Sequence, residues 1–209
     1  PFAGVGGTLL GTSLAGGSRS AVGIELSNKY VVAYQQVCKD HNLDAFPIVC
    51  DDARNMLKHR IIAEATFDLI LTDPPYFNML TREQNGSKRK LYNKSDPTPF
   101  TESPLDIGNL PYDEFLDSLQ EILYTASTRL KDGKYLVVFC KDMQPNTETG
   151  ELNLLHADMA QVISQIPSLS FIGMKIWHDQ ANRLFPFGYP YKLVLNQMHQ
   201  YILIFQKDR

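Results

Sequence analysis

The chain predicts an α/β fold on a mostly parallel, doubly wound sheet, and three observations carry that reading. Short apolar runs alternate with stretches of helical periodicity along most of the sequence. Gly4, Glu25, Asp52 and Asp73 all fall at expected strand ends, where open parallel sheets bind their ligands. Two late strands then follow each other without a helix between them, which suits a closing antiparallel hairpin.

The elements follow in order. Residues 4–7 make a glycine-rich loop, and 8–15 read as a short helix ended by Gly16 and Gly17. The apolar run 21–26, closing on Glu25, suits a buried strand. Ser27 is placed to cap a helix in which Tyr30, Tyr34, Val37 and Cys38 share one face. Residues 46–50 read as a strand ending at Asp51 and Asp52, 53–65 as a helix, and 67–72 as a strand running into Asp73. The segment 77–111 is polar, rich in Pro, Ser and Asn, and carries Lys88, Arg89 and Lys90; a loop of that length is usually functional or mobile. A helix over 112–130, a turn at Asp132 and Gly133, a strand over 135–140 and a helix over 155–166 come next. Strands over 171–177 and 200–206 bracket an aromatic loop containing Phe185, Tyr189 and Tyr191. The strand ending at Asp73 is expected at the centre of the sheet, and the strand around Ile202 antiparallel to its neighbours.

With 209 residues, the chain reads as one domain spanning 1–209. Hydrophobic residues at 44% and charged residues at 21% match an ordinary globular protein. No apolar run approaches the roughly 20 residues of a membrane span, and no basic-then-apolar leader opens the chain. Cys38, Cys50 and Cys140 are scattered in apolar segments, as reduced core thiols of a cytoplasmic protein would be; their spacing argues against disulfides and a zinc site, and no metal is expected. The net charge of −3 excludes a domain that grips nucleic acid over a long basic face, so any such surface is local or supplied by another domain or subunit. Because the chain opens inside a glycine motif, it reads as a fragment lacking a first strand.

Three sites carry chemistry. In the first, Phe2-Ala3-Gly4-Val5-Gly6-Gly7, glycines allow a sharp turn and close approach of a ligand. Glu25, about twenty residues on, either accepts both hydroxyls of a ribose or is a solvated strand-end acid. No Gly-Lys-Ser/Thr follows the turn, which favours a cofactor with a ribose and no phosphate. In the second, Asp51 and Asp52 either receive the amine of an adenine ring or cap the next helix. The third decides. In Asp73-Pro74-Pro75-Tyr76, two prolines remove two backbone donors and leave a rigid turn that displays carbonyls. An amine attached to a base ring is a poor nucleophile because its lone pair is delocalised. The Asp73 carboxylate and the Pro74 carbonyl are placed to hold its two hydrogens, and Tyr76 offers a face for stacking.

These motifs resemble the amino-methyltransferase family of DNA methylases, in which a Phe-x-Gly-x-Gly turn binds S-adenosyl-L-methionine (AdoMet) and Asp-Pro-Pro-Tyr holds the target amine. The resemblance implies a class I, Rossmann-like fold. It places the cofactor on Phe2, Ala3, Gly4, Gly6, Glu25, Leu26, Asp52, Ala53 and Asp73, and gives the catalytic role to Asp73, Pro74, Pro75 and Tyr76. Residues 130–138 resemble the family's helix, turn and strand; Ile176 and Trp177, with 199–205, resemble its final strand pair. The reaction implied is direct, in-line transfer of the AdoMet methyl group to a flipped base, with adenine N6 in DNA leading. Substrate contacts are expected from Tyr76, from Lys88, Arg89 and Lys90 on phosphates, and from Arg183. Two alternatives stay open: an RNA methyltransferase acting on guanine N2 or adenine N6, and a catalytically silent, methyltransferase-like subunit.

Overall fold

The computed structural model describes residues 1–77, 100–142, 154–178 and 197–209. Helix α1 (Gly7–Ala15) leads to β1 (Gly23–Glu25), α2 (Asn28–Asp40) and β2 (Ile48–Cys50). A 3₁₀ helix (Ala53–Lys58) and the short α3 (Arg60–Ala63) precede β3 (Phe67–Thr72). A second 3₁₀ turn (Ile107–Asn109), α4 (Tyr112–Ser127), β4 (Leu130–Cys140), α5 (Leu155–Ser164), β5 (Leu169–His178) and β6 (His199–Lys207) complete the order.

Strands β1 and β2 pair in parallel, and a second sheet has the order β3-β4-β6-β5. In it β3 and β4 are parallel, whereas β6 is antiparallel to both β4 and β5, as the sequence led us to expect. The expected central place of β3 needs correction. Among the described residues it has a paired strand on the β4 side alone, so it edges the four-stranded sheet. Residues 1–3 run through the gap between the sheets: the Ala3 N–H donates to the Ile24 carbonyl at 3.0 Å and the Thr72 hydroxyl to the Pro1 carbonyl at 2.7 Å.

Most of the core lies on one face of the four-stranded sheet. Helix α4 directs Phe115, Leu119, Ile122, Leu123 and Ala126 inward at helical spacing, with Asp113 and Glu114 in its first turn favouring its amino end. They meet Leu136, Val138 and Cys140 of β4, Leu203 and Phe205 of β6, and Leu155, Met159 and Ile163 of α5. A smaller cluster of Leu9, Tyr34 and Cys38 joins α1 to α2. Among the described residues no helix is long and apolar enough to cross a membrane.

Several local expectations shift. The helix expected over 53–65 breaks at His59, whose backbone is extended and whose ring nitrogen Nε2 lies 2.7 Å from an Asp51 carboxylate oxygen. The turn at Asp132 and Gly133 becomes a bulge: Phe67 pairs with Leu130 and Leu69 with Tyr135, so residues 131–134 are looped out and Gly133 takes a φ of +73°. Cys38 and Cys140 are buried, but Cys50 is exposed, so it is not a core thiol. Residues 100–111 are not an open loop. Ile107 is 2% exposed and packs in the main core, and Asp106 caps the 3₁₀ turn that follows it.

Candidate active site

Strand β3 ends where Pro74 and Pro75 stop supplying backbone donors, and that termination leaves Asp73 at the carboxyl edge of the sheet. A cavity of about 760 Å³ opens there, a size suited to a cofactor. Phe2, Ala3 and Gly4 line it, together with Glu25, Leu26, Asp52 and Ala53. Asp73, Pro74, Pro75 and Tyr76 line the same cavity. The fold therefore brings eleven of the expected residues onto one cavity.

Gly6 is the exception on the glycine loop. It does not line the cavity; it sits before α1 with φ +76°, and a Cβ there would fall inside the ring of the fully buried Tyr34. Its lack of a side chain serves the close approach of α1 to α2. Gly4 differs, with φ +54° and open space where a Cβ would stand. Lys88, Arg89, Lys90 and Arg183, with Phe185 and Tyr189, lie outside the described residues.

Glu25 is locked to the loop it was expected to serve. Its Oε2 accepts the Gly4 N–H at 2.7 Å and its Oε1 accepts the Ser27 N–H at 2.8 Å. Each carboxylate oxygen has a further lone pair, so the pair of ribose hydroxyls still finds two acceptors. Asp51 bonds the Asn55 amide at 3.1 Å and the His59 ring at 2.7 Å. Those contacts, Asn55 first, hold its carboxyl below the usual carboxylate range. Asp52, 8% exposed, accepts the Arg54 N–H at 2.9 Å and the Arg54 guanidinium at 2.7 Å. The capping reading of Asp52 is thus present in the structure, and the adenine-side reading has to coexist with it.

Asp73 is held differently. Its surface stays open to the cavity, while the protein packed on its other sides reduces its hydration. That crowding raises its pKa above the usual carboxylate value, opposed by the hydrogen bond its Oδ1 accepts from the Tyr76 hydroxyl at 2.8 Å. Burial and the neighbouring Asp73 charge push Tyr76 upward, so it remains a neutral donor.

Sequence reasoning missed the wall formed by Phe100, Thr101, Leu105, Asp106 and Ile107, together with Tyr30, Phe139 and Trp177. The Asp106-Ile107-Gly108 turn was a readable signal, because Asp106 Oδ1 accepts the Gly108 N–H at 2.9 Å. Tyr30 and Phe100 meet edge to face at 6.3 Å between ring centres, an encounter across 70 residues of sequence that no local pattern announces.

Residues 67–209 match the model of a DNA methylase family, the N6/N4 methyltransferases. The chain belongs to that family. The match begins at β3 and so includes the Asp73–Tyr76 turn but not the glycine loop. No curated protein matches the chain in sequence. Among solved structures it is similar to TrmN from Thermus thermophilus, at 14% identity and a TM-score of 0.56, over 99% of this chain and 42% of that one. It is also similar to an S-adenosylmethionine-dependent methyltransferase from Clostridium acetobutylicum ATCC 824, at 11% identity and a TM-score of 0.52, over 100% of this chain and 82% of that one. A candidate DNA modification methylase, also from Thermus thermophilus and in complex with S-adenosyl-L-methionine, is 21% identical over 76% of this chain and 54% of its own, with a TM-score of 0.47. The chain spans less than half the length of TrmN and about half that of the modification methylase. The fold is that of class I AdoMet methyltransferases, and AdoMet is the cofactor of this family and fold.

The residues present fit AdoMet. The left-handed Gly4 leaves open space on the cavity side, Glu25 has acceptor capacity for a ribose, and Leu26, Ala53 and Ile107 supply apolar surface for a purine ring.

Proposed function

We propose that this chain transfers the methyl group of AdoMet to an exocyclic amine of a nucleobase, with adenine N6 in DNA as the substrate. One observation carries the reading: the Asp73 carboxylate, bound by Tyr76, opens on the same cavity as the Gly4 loop and Glu25. Family membership supports amine methylation of DNA. The aspartate at the first position of the tetrapeptide favours adenine over cytosine N4.

In this reading Glu25 orients the ribose and the Gly4 loop admits the methionine part of the cofactor. AdoMet, when bound, supplies an activated methyl group with a neutral sulfide as its leaving group. Asp73 accepts one hydrogen of the amine and the Pro74 carbonyl the other. These bonds strengthen as positive charge develops on the nitrogen, so they favour the transition state over the ground state. A base within a duplex cannot reach Asp73, so the target must flip, at a cost of a few kcal/mol. Tyr76 would exchange its bond to Asp73 for a stacking contact with that base. Lys88, Arg89, Lys90 and Arg183 remain the proposed contacts to the nucleic acid, and a further domain or subunit would supply target recognition.

The test is radiolabelled methyl transfer to duplex DNA, single-stranded DNA and structured RNA, for the chain and for Asp73→Ala. Duplex DNA labelled at adenine is the expected product. The substitution should lower turnover at least 100-fold and leave AdoMet affinity within a few-fold. Labelling of RNA alone would move the substrate to RNA, and an unimpaired Asp73→Ala variant would remove Asp73 from the chemistry.

A further inference from the structure

The adenine-side acid and the catalytic turn follow different strands, yet one residue touches the structure that joins them. Arg54 grips Asp52 through two nitrogens: Nε lies 3.0 and 2.9 Å from the two carboxylate oxygens, and an Nη2 contact to Oδ2 measures 2.7 Å. The same Nη2 donates to the Leu105 carbonyl at 2.9 Å, across 51 residues of sequence. Leu105 belongs to a braced segment. Asp106 accepts the Gly108 N–H at 2.9 Å and the Thr101 hydroxyl at 3.3 Å, and the Asn109 amide donates to the Thr101 carbonyl at 3.0 Å. The far end of that brace rests on the catalytic turn, because a Cβ on Gly108 would stand 3.0 Å from the Cβ of Pro75.

We propose that Arg54 is a positioning residue that ties Asp52 to the catalytic turn through the braced segment 101–109, a role that rests on the cofactor reading above. Asp52 then acts on the cofactor in concert with Arg54. The planar guanidinium makes both contacts at once; a lysine ammonium, a single point on a flexible stem, cannot hold the carboxylate through two nitrogens and reach Leu105. A merely local Asp52–Arg54 pair would stabilise the 3₁₀ turn and leave Pro75 indifferent.

The experiment is a double-mutant cycle on the chain with Asp52→Asn, Arg54→Lys and both together. AdoMet affinity is read by calorimetry, turnover at saturating AdoMet by radiolabel, and hydrogen exchange at the Asn109 and Leu110 amides by mass spectrometry or NMR. Each single variant should raise Kd about tenfold, and the pair should be no worse than the weaker single. Arg54→Lys should also speed exchange at Asn109 and Leu110 and lower kcat about tenfold. Wild-type affinity, exchange and kcat in Arg54→Lys, beside a loss of affinity in Asp52→Asn, would overturn the tie. If wild-type chain binds no AdoMet, the cofactor reading fails, and exchange in Arg54→Lys still decides whether Arg54 holds the segment. Should Arg54→Lys not fold, Gly108→Ala presses on Pro75 from the same segment with Arg54 still paired. It is expected to lower kcat about tenfold, and unchanged turnover would overturn the proposal.

Discussion

The glycine-loop wall of the cavity and the Asp73–Tyr76 turn hold their carboxylates in opposite ways. Glu25, Asp51 and Asp52 each engage two or more protein donors, backbone N–H groups, an amide, an imidazole and a guanidinium among them. Among the described residues Asp73 takes one hydrogen bond, from Tyr76. The first wall is thereby organised before any ligand arrives, which lowers the ordering cost of binding. The second keeps acceptor capacity free, in surroundings that penalise its charge, until a donor is brought to it. Under the proposed function, such a site would separate recognition from reaction: rigidity where the cofactor fits, and unmet electrostatic demand where charge develops.

The comparison breaks most visibly at Gly6. Gly6→Ala puts a methyl group into the Tyr34 ring and a side chain at φ +76°, so a fall in Tm on the order of 10 °C is expected by calorimetry. Cofactor affinity per folded molecule should change far less, because Gly6 is not on the cavity. An unchanged Tm would mean that α1 and α2 are not packed as described.

Glu25→Gln tests the organised wall directly. The amide group it introduces has one acceptor oxygen for the two N–H donors of Gly4 and Ser27, and its NH₂ faces one of them. AdoMet affinity should fall about tenfold, near 1.4 kcal/mol, with turnover at saturation little altered. A loss confined to turnover would reverse the roles assigned to the two walls.

The smallest effect sharpens the contrast from the other side. Crowding raises the Asp73 pKa, so folding favours its protonated form. The stability this contributes is complete below the unfolded-state pKa and lost as pH rises through the folded-state value; near neutral pH the ionised side chain opposes folding. Asp73→Asn should therefore raise Tm only slightly near neutral pH, because solvent screens the exposed carboxylate, and the gain should vanish in acid, where wild-type Asp73 is protonated. Methyl transfer by the wild type should decline as pH falls through the same raised pKa. A lower Tm for Asp73→Asn at neutral pH would show that the fold stabilises the carboxylate and would overturn this reading.

What the sequence by itself determined is the set of strand-end positions and the rigid Asp73-Pro74-Pro75-Tyr76 turn that follows β3. Short apolar runs mark β1, β2 and β3, two prolines end β3 after Asp73, and the absence of a helix signal between β5 and β6 makes them an antiparallel pair. These are local consequences of side-chain periodicity and restricted φ, readable without a partner. Gly4 and Gly6 look alike in that reading, and so do Asp51 and Asp52. Only packing tells them apart: Tyr34 claims the space at Gly6, His59 turns toward Asp51, and Arg54 closes on Asp52. The wall from Phe100 to Ile107 was hidden for the same reason. Its polar, proline-bearing composition resembles a loop, and what orders it is the burial of Ile107 against distant elements, the Arg54 bond to Leu105 and the fit of Gly108 on Pro75. Such contacts join residues far apart in the chain, and their energies depend on shape and desolvation, which no window of sequence contains.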